Sequence, residues 1–152
     1  ASLIAACCKA GASAAGANTD DQQRLYEFGL KLGLAFQIKD DLLDYGFGEK
    51  IGKPIGIDIK ERKLTLPLIH ALKMASASEK RELMGIIKRY NTDAVKVKYL
   101  VSRVIELGGI DYARAKMESL RDEALDMLNH FPKSDSRHSL ENLVHFTINR
   151  KK

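Results

Sequence analysis

Residues 33–67 read GLAFQIKDDLLDYGFGEKIGKPIGIDIKERKLTLP. The first third of this stretch is helical in period: Leu25, Phe28, Leu32, Ala35, Phe36 and Leu43 recur at three, four and seven, which predicts one helix over 20–45. Its last turns place Gln37, Asp40, Asp41 and Asp44 at i, i+3, i+4 and i+7, so an amide and three carboxylates share one face. Like charges at these spacings repel by a few tenths of a kcal/mol, and an anion in the last turn loses about 0.3–1 kcal/mol against the helix dipole. Helix stability alone does not select these residues. A cation reverses the sign of the cost, and hard oxygen donors without His or Cys beside them point to Mg²⁺ rather than zinc. A solvated acidic helix end, neutralised by Lys39, Lys50 and Lys53, is the alternative that spacing leaves open. The apolar neighbours Ala35, Phe36, Ile38, Leu42 and Leu43 favour a partly buried row.

Gly46, Gly48, Gly52 and Gly56, with Pro54 among them, make 46–63 a loop. It fits none of the usual glycine-rich patterns. Gly48 and Gly52 have three residues between them where a P-loop needs four, and Pro54 stands where Ser or Thr is required. Gly46, Gly48 and Gly52 miss the dinucleotide spacing, and Leu42 and Leu43 interrupt an EF-hand ligand series. Carboxylate-held Mg²⁺ remains, with Lys53 and Lys63 available to the diphosphate oxygens that such a cation bridges.

The remaining chain reads as helices. Residues 2–17 are rich in Ala, Gly, Ser and Cys, small side chains that let another backbone approach closely. Thr19 with Gln22 forms a capping box for the 20–45 helix. Thr65 caps a helix ending near Met74, with Pro67 in its first turn; Ser78 caps one to about Tyr90, and Asn91-Thr92-Asp93 one from about 93 to 107. Gly108 and Gly109 stop that helix, and two more follow over about 110–130 and 136–149. No stretch alternates with period two for long enough to be a strand. The expectation is a single all-α domain over 1–152.

Composition bounds the partners. The 25 Lys and Arg against 20 Asp and Glu give a net charge of +5, which suits an anionic partner. A nucleic-acid interface is not expected, because cations alternate with Glu and Asp along 79–107 and 110–130 instead of forming a stripe. Cys7 and Cys8 are adjacent, which matches neither a zinc spacing nor a disulfide framework, and they read as two small buried hydrophobes in a reduced compartment. No apolar run approaches the roughly 18 residues of a transmembrane segment. A soluble, cytoplasmic protein is expected.

With these residues in view, the chain resembles the all-trans polyprenyl diphosphate synthases, in their second aspartate-rich region. The family pattern FQxxDDxxD, GKxxGxD, KxTxP is met by Phe36, Gln37, Asp40, Asp41 and Asp44, by Gly52, Lys53, Gly56 and Asp58, and by Lys63, Thr65 and Pro67. The resemblance implies the all-α isoprenoid synthase helical barrel, Mg²⁺, a homodimer, and head-to-tail condensation of isopentenyl diphosphate with an allylic prenyl diphosphate. Asp40, Asp41 and Asp44 would then hold metal, with Asp40 and Asp44 the direct ligands. Lys53 and Lys63 would contact phosphate, Asp58 would support the lysine loop, Gln37 would orient near the diphosphate, and Phe36 would border the prenyl group. Arg150 and Lys151 would either close over the site or form a basic tail.

The family also carries a first DDxxD followed by an arginine pair, and this sequence contains neither. The chain is therefore expected to be the C-terminal half of a synthase, holding half of a shared metal site, inactive alone and prone to self-association. A non-catalytic helical subunit of a heteromeric synthase is the alternative. Product chain length is set near the first motif, although KLTLPLIHAL resembles the longer-chain members.

Overall fold

The computed structural model describes residues 1–46 and 56–149. These residues form eight helices and no strand: α1 (Ser2–Ala14), α2 (Thr19–Asp44), α3 (Ile57–Lys60), α4 (Leu66–Met74), α5 (Ala77–Arg89), α6 (Ala94–Glu106), α7 (Gly109–Leu128) and α8 (Asp135–Asn149). The all-α expectation holds. No helix among the described residues is long and apolar enough to cross a membrane.

The chain divides into two compact units. The first comprises residues 1–39 and 116–149, and thus α1, most of α2 and of α7, and α8. Its core is Phe28, Leu32, Ala124, Leu128 and Val144, flanked by Ile4, Cys8, Leu25 and Leu140. Small residues let α1 and α2 approach: a Cβ on Gly29 would stand 2.8 Å from the Ala5 Cα, and one on Gly33 would stand 2.5 Å from the Ala1 Cα. Close backbone approach is therefore what those two glycines provide. The opposite side of α1 is open, with Leu3 76% exposed. Cys7 is exposed and Cys8 half-buried, which corrects the expectation of two buried cysteines: adjacent residues on a helix face different ways, and only Cys8 faces α2.

The second unit runs over 40–115 and contains the end of α2, α3 to α6 and the start of α7. Helices α4, α5 and α6 pack on one another through Leu68, Ala71 and Leu72, Leu83, Ile86 and Ile87, and Leu100, Val101 and Val104, all buried. At about 25 cal/mol per Å² of apolar area, each of the Leu, Ile and Val side chains contributes roughly 1.5–3 kcal/mol.

Two helix caps shift, and a third stays in place without its side-chain bond. Asn18, not Thr19, caps α2: its Oδ1 accepts the Asp21 N–H at 2.9 Å, and Gln22 Nε2 donates to the Ala17 carbonyl at 2.8 Å. Asparagine is the stronger cap and stands one residue earlier. Ser76, not Ser78, caps α5 by accepting the Glu79 N–H at 3.2 Å. Thr65 occupies the N-cap position of α4 without a side-chain cap, because its hydroxyl is engaged with Tyr45 at 2.8 Å. Asp93 caps α6 as expected, accepting from Val95 and Lys96.

Candidate functional site

The acidic end of α2 is the start of the second unit. Asp40, Asp41 and Asp44 are all half-buried, among the buried Leu42, Leu43 and Tyr45. Two of them receive the exposed backbone donors of the helices that follow. Asp44 accepts the Ile57 N–H on Oδ1 at 2.9 Å and the Asp58 N–H on Oδ2 at 3.0 Å, and its backbone carbonyl accepts the Gly56 N–H at 3.0 Å. Asp41 Oδ2 accepts the N–H of Leu66, the first residue of α4, at 3.3 Å. The first N–H groups of any helix lack intrahelical partners, so the dipole-opposed end of α2 supplies the anions that the starts of α3 and α4 require.

This explains α3, which lies inside the stretch expected to be loop. Four residues carry too little periodicity to be read as a helix, and the carboxylate that starts it belongs to a residue far upstream. Gly56 precedes it at φ 81°, in the left-handed region, and a Cβ there would stand 2.8 Å from Val97 Cγ1. Both facts call for glycine.

Helix α3 ends in a Schellman arrangement: Lys63 N–H donates to the Asp58 carbonyl at 2.8 Å and Arg62 N–H to the Ile59 carbonyl at 3.0 Å, with Arg62 left-handed at φ 59°. The turn brings the Lys63 side chain back to its own helix. Its Nζ lies 2.6 Å from Glu61 and 3.1 Å from Asp58, and these two carboxylates raise the Lys63 pKa. Lys63 is exposed. Burial, followed by the charges of Asp58, Asp40 and Asp44, raises the Asp41 pKa, against the lowering effect of the Leu66 N–H. Burial also pushes the Tyr45 phenol far above its usual range.

The other expected site residues are placed as follows. Phe36, half-buried, and Gln37, exposed, stand in the preceding turn of α2. Lys39, a neutralising charge in the alternative of a solvated helix end, is 7% exposed, because it stands four residues after Ala35 and three and four before Leu42 and Leu43, on the buried face of the helix. Lys53 lies outside the described residues, as do Gly48, Gly52, Lys50, Arg150 and Lys151. Sequence inspection missed the capping roles of Asp41 and Asp44. No sequence signal marked them, because Thr65 already reads as the cap of α4 and α3 is too short to show a period.

Half-buried carboxylates clustered at one helix end suit a hard divalent cation. Among the described residues no three His, Cys, Asp or Glu side chains converge to hold a metal ion. Mg²⁺ commonly takes only one or two protein carboxylates and completes its shell with water and phosphate oxygens, and a carboxylate oxygen can accept more than one contact. The donors therefore fit such an ion as a partial ligand set.

Comparison with known proteins locates this architecture. Residues 1–104 match the family model described as polyprenyl synthetase. The chain is 35% identical over 143 residues to the heptaprenyl diphosphate synthase component 2 of Geobacillus stearothermophilus, covering 93% of this chain and 43% of that one. It is 33% identical over 141 residues to the octaprenyl diphosphate synthase of Escherichia coli, covering 90% and 42%. Its fold superposes on a decaprenyl diphosphate synthase from Rhodobacter capsulatus with TM-score 0.88 at 32% identity, over 96% of this chain and 45% of that one. It also superposes on a polyprenyl synthase from Caulobacter crescentus complexed with calcium and isoprenyl diphosphate, with TM-score 0.84 at 35% identity, over 99% and 46%. The chain spans less than half the length of each of these relatives.

Proposed function

This chain belongs to the polyprenyl synthetase family, and on that premise we propose that it is the C-terminal half of a trans-polyprenyl diphosphate synthase. The proposed reaction is the Mg²⁺-dependent condensation of isopentenyl diphosphate with an allylic prenyl diphosphate. The observation that carries the proposal is the corner where three half-buried aspartates at the end of α2 meet α3, whose Asp58 pairs with Lys63 just beyond its end.

In this reading Asp40, Asp41 and Asp44 hold the cation, and Lys53 and Lys63 receive phosphate oxygens. When bound, Mg²⁺ would offset the negative charge that gathers on the diphosphate as the allylic C–O bond breaks. Asp58 orients Lys63, and a bound diphosphate would compete with Asp58 and Glu61 for the Lys63 ammonium. Phe36 would border the prenyl chain, and Gln37 would orient the diphosphate. No protein nucleophile is required, because the electrons of the isopentenyl double bond form the new C–C bond. The protein's task is electrostatic preorganisation. A solved family member carrying a divalent cation and isoprenyl diphosphate supports the same ligand class here.

Catalysis would belong to the chain together with the remaining half of the family's barrel, in a homo-oligomer, with this chain inactive alone. The test is transfer of labelled isopentenyl diphosphate onto farnesyl diphosphate by the complete assembly, with and without EDTA. Cation-dependent formation of an extractable prenyl product is expected; its absence from the complete assembly contradicts the proposal. A second reading, a non-catalytic helical subunit of a heteromeric synthase, is favoured by one relative being named a component of its synthase. In that case transfer would appear only with a separate catalytic chain and would survive Asp40→Ala.

A further inference from the structure

On the exposed side of the seam between α5 and α6 lies a cavity of about 610 Å³ floored by Ile86, Tyr90, Val95 and Tyr99. Small-ligand cavities run from about 300 to 1,000 Å³. Val95 is 79% exposed, and Gly85 lies on the cavity wall in the middle of α5. Glycine is unfavourable inside a helix unless something must come close. At Gly29 and Gly33 that something is the backbone of α1, but a Cβ on Gly85 would meet nothing within 4 Å. The space over Gly85 is open, so a group from outside the chain has room there.

The charges around the cavity indicate what that group is. Arg81 and Lys96 both line it, with Glu82 as its acid. Lys96 Nζ stands 3.3 Å above the centre of the Tyr90 ring. Among the described residues neither Lys96 nor Arg81 has a carboxylate partner, whereas Arg103 on the same helix pair is held by Glu79 and Glu106. Two cations against the single acid Glu82 leave the lining with a net positive charge beside an apolar floor, and a concave seam admits a chain but not the plane of a bilayer.

We propose that this cavity binds a soluble single-chain apolar anion. Its chain lies on Tyr90, Val95 and Tyr99 over Gly85, and its phosphate or carboxylate head is received by Arg81 or Lys96. The site shares no residue with the acidic corner, so the proposal stands or falls independently of the prenyl-transfer reading.

The experiment is calorimetric titration of the full chain, in EDTA, with decyl phosphate below its micellar concentration. Inorganic phosphate, a neutral decyl glycoside and vesicles containing phosphatidylglycerol are the comparison arms. Saturable binding of decyl phosphate is expected, at least about tenfold tighter than either phosphate or the glycoside. Gly85→Leu, which fills the cavity, and the surface pair Arg81→Glu with Lys96→Glu should each weaken it by about tenfold or more. Where Gly85→Leu lowers helicity, the charge pair decides alone. Unchanged affinity in a folded variant, equal affinity for the neutral glycoside, or binding to vesicles alone overturns the proposal.

Discussion

Asp44 accepts the backbone N–H of Asp58 at 3.0 Å, across 14 residues of sequence, while its other oxygen accepts that of Ile57. An aspartate that looks like a metal ligand in sequence is therefore also the N-terminal cap of the helix carrying Asp58. The two roles are compatible in lone pairs but not independent in energy.

Asp44→Asn keeps one acceptor and turns an amide donor toward a backbone donor. In EDTA it should cost about 1–3 kcal/mol by urea denaturation, with faster amide exchange at Ile57 and Asp58. Unchanged exchange at those two amides would remove the capping role.

Asp41 gives a pH dependence of unusual sign. Its folded pKa lies above the ordinary value of 3.8, through burial first and neighbouring carboxylates second, so the folded state binds the proton more tightly than the unfolded chain. Its contribution is most favourable at low pH and declines as pH rises through the interval between the unfolded and folded values. Asp41→Asn keeps an acceptor for the Leu66 N–H and removes the charge. In EDTA near pH 7 it should be no less stable than the parent, and the difference should shrink on acidification to about pH 4. A loss of stability at neutral pH contradicts this assignment.

The buried Tyr45–Thr65 hydroxyl pair, 2.8 Å apart, ties the end of α2 to the start of α4. Thr65→Val strands the Tyr45 hydroxyl and should cost about 1–3 kcal/mol. The double variant with Tyr45→Phe should cost less than the sum of the two single changes, with a coupling of about 0.5–3 kcal/mol. Additive effects in a double-mutant cycle would show that the pair is not coupled.

Arg62 holds a left-handed conformation at φ 59°, which costs a non-glycine residue roughly 1–2 kcal/mol. Arg62→Gly relieves it, against the greater freedom glycine has when unfolded, and should raise stability by about 0.5–1 kcal/mol. The midpoint of chemical denaturation measures it, and a lower midpoint refutes it.

How much of this was legible beforehand varies by element. The long helix α2 announced itself through Leu25, Phe28, Leu32 and Leu43, because a buried helical stripe writes its period into the sequence. The acidic face was legible too, since i, i+3, i+4 and i+7 are fixed by helix geometry. Helix α3 was not, because Asp44 and Gly56, not an apolar period, create it. Lys39, which the alternative of a solvated helix end used as a neutralising charge, is buried because its spacing from Ala35, Leu42 and Leu43 puts it on the apolar face. The cap shifts at Asn18 and Ser76 lie within one or two residues, where capping candidates compete and local packing chooses.

The central claim is that the Asp40–Asp44 corner and the lysines beyond it serve a leaving diphosphate. Turnover of isopentenyl diphosphate with an allylic diphosphate, measured in the complete assembly for the parent, Asp40→Ala and Lys53→Ala, tests it most directly. Each variant is expected to fold, with far-ultraviolet dichroism unchanged, and to lose at least about 10²-fold in turnover, the scale of removing one preorganised electrostatic contact. Near-parental turnover in both variants would contradict the claim.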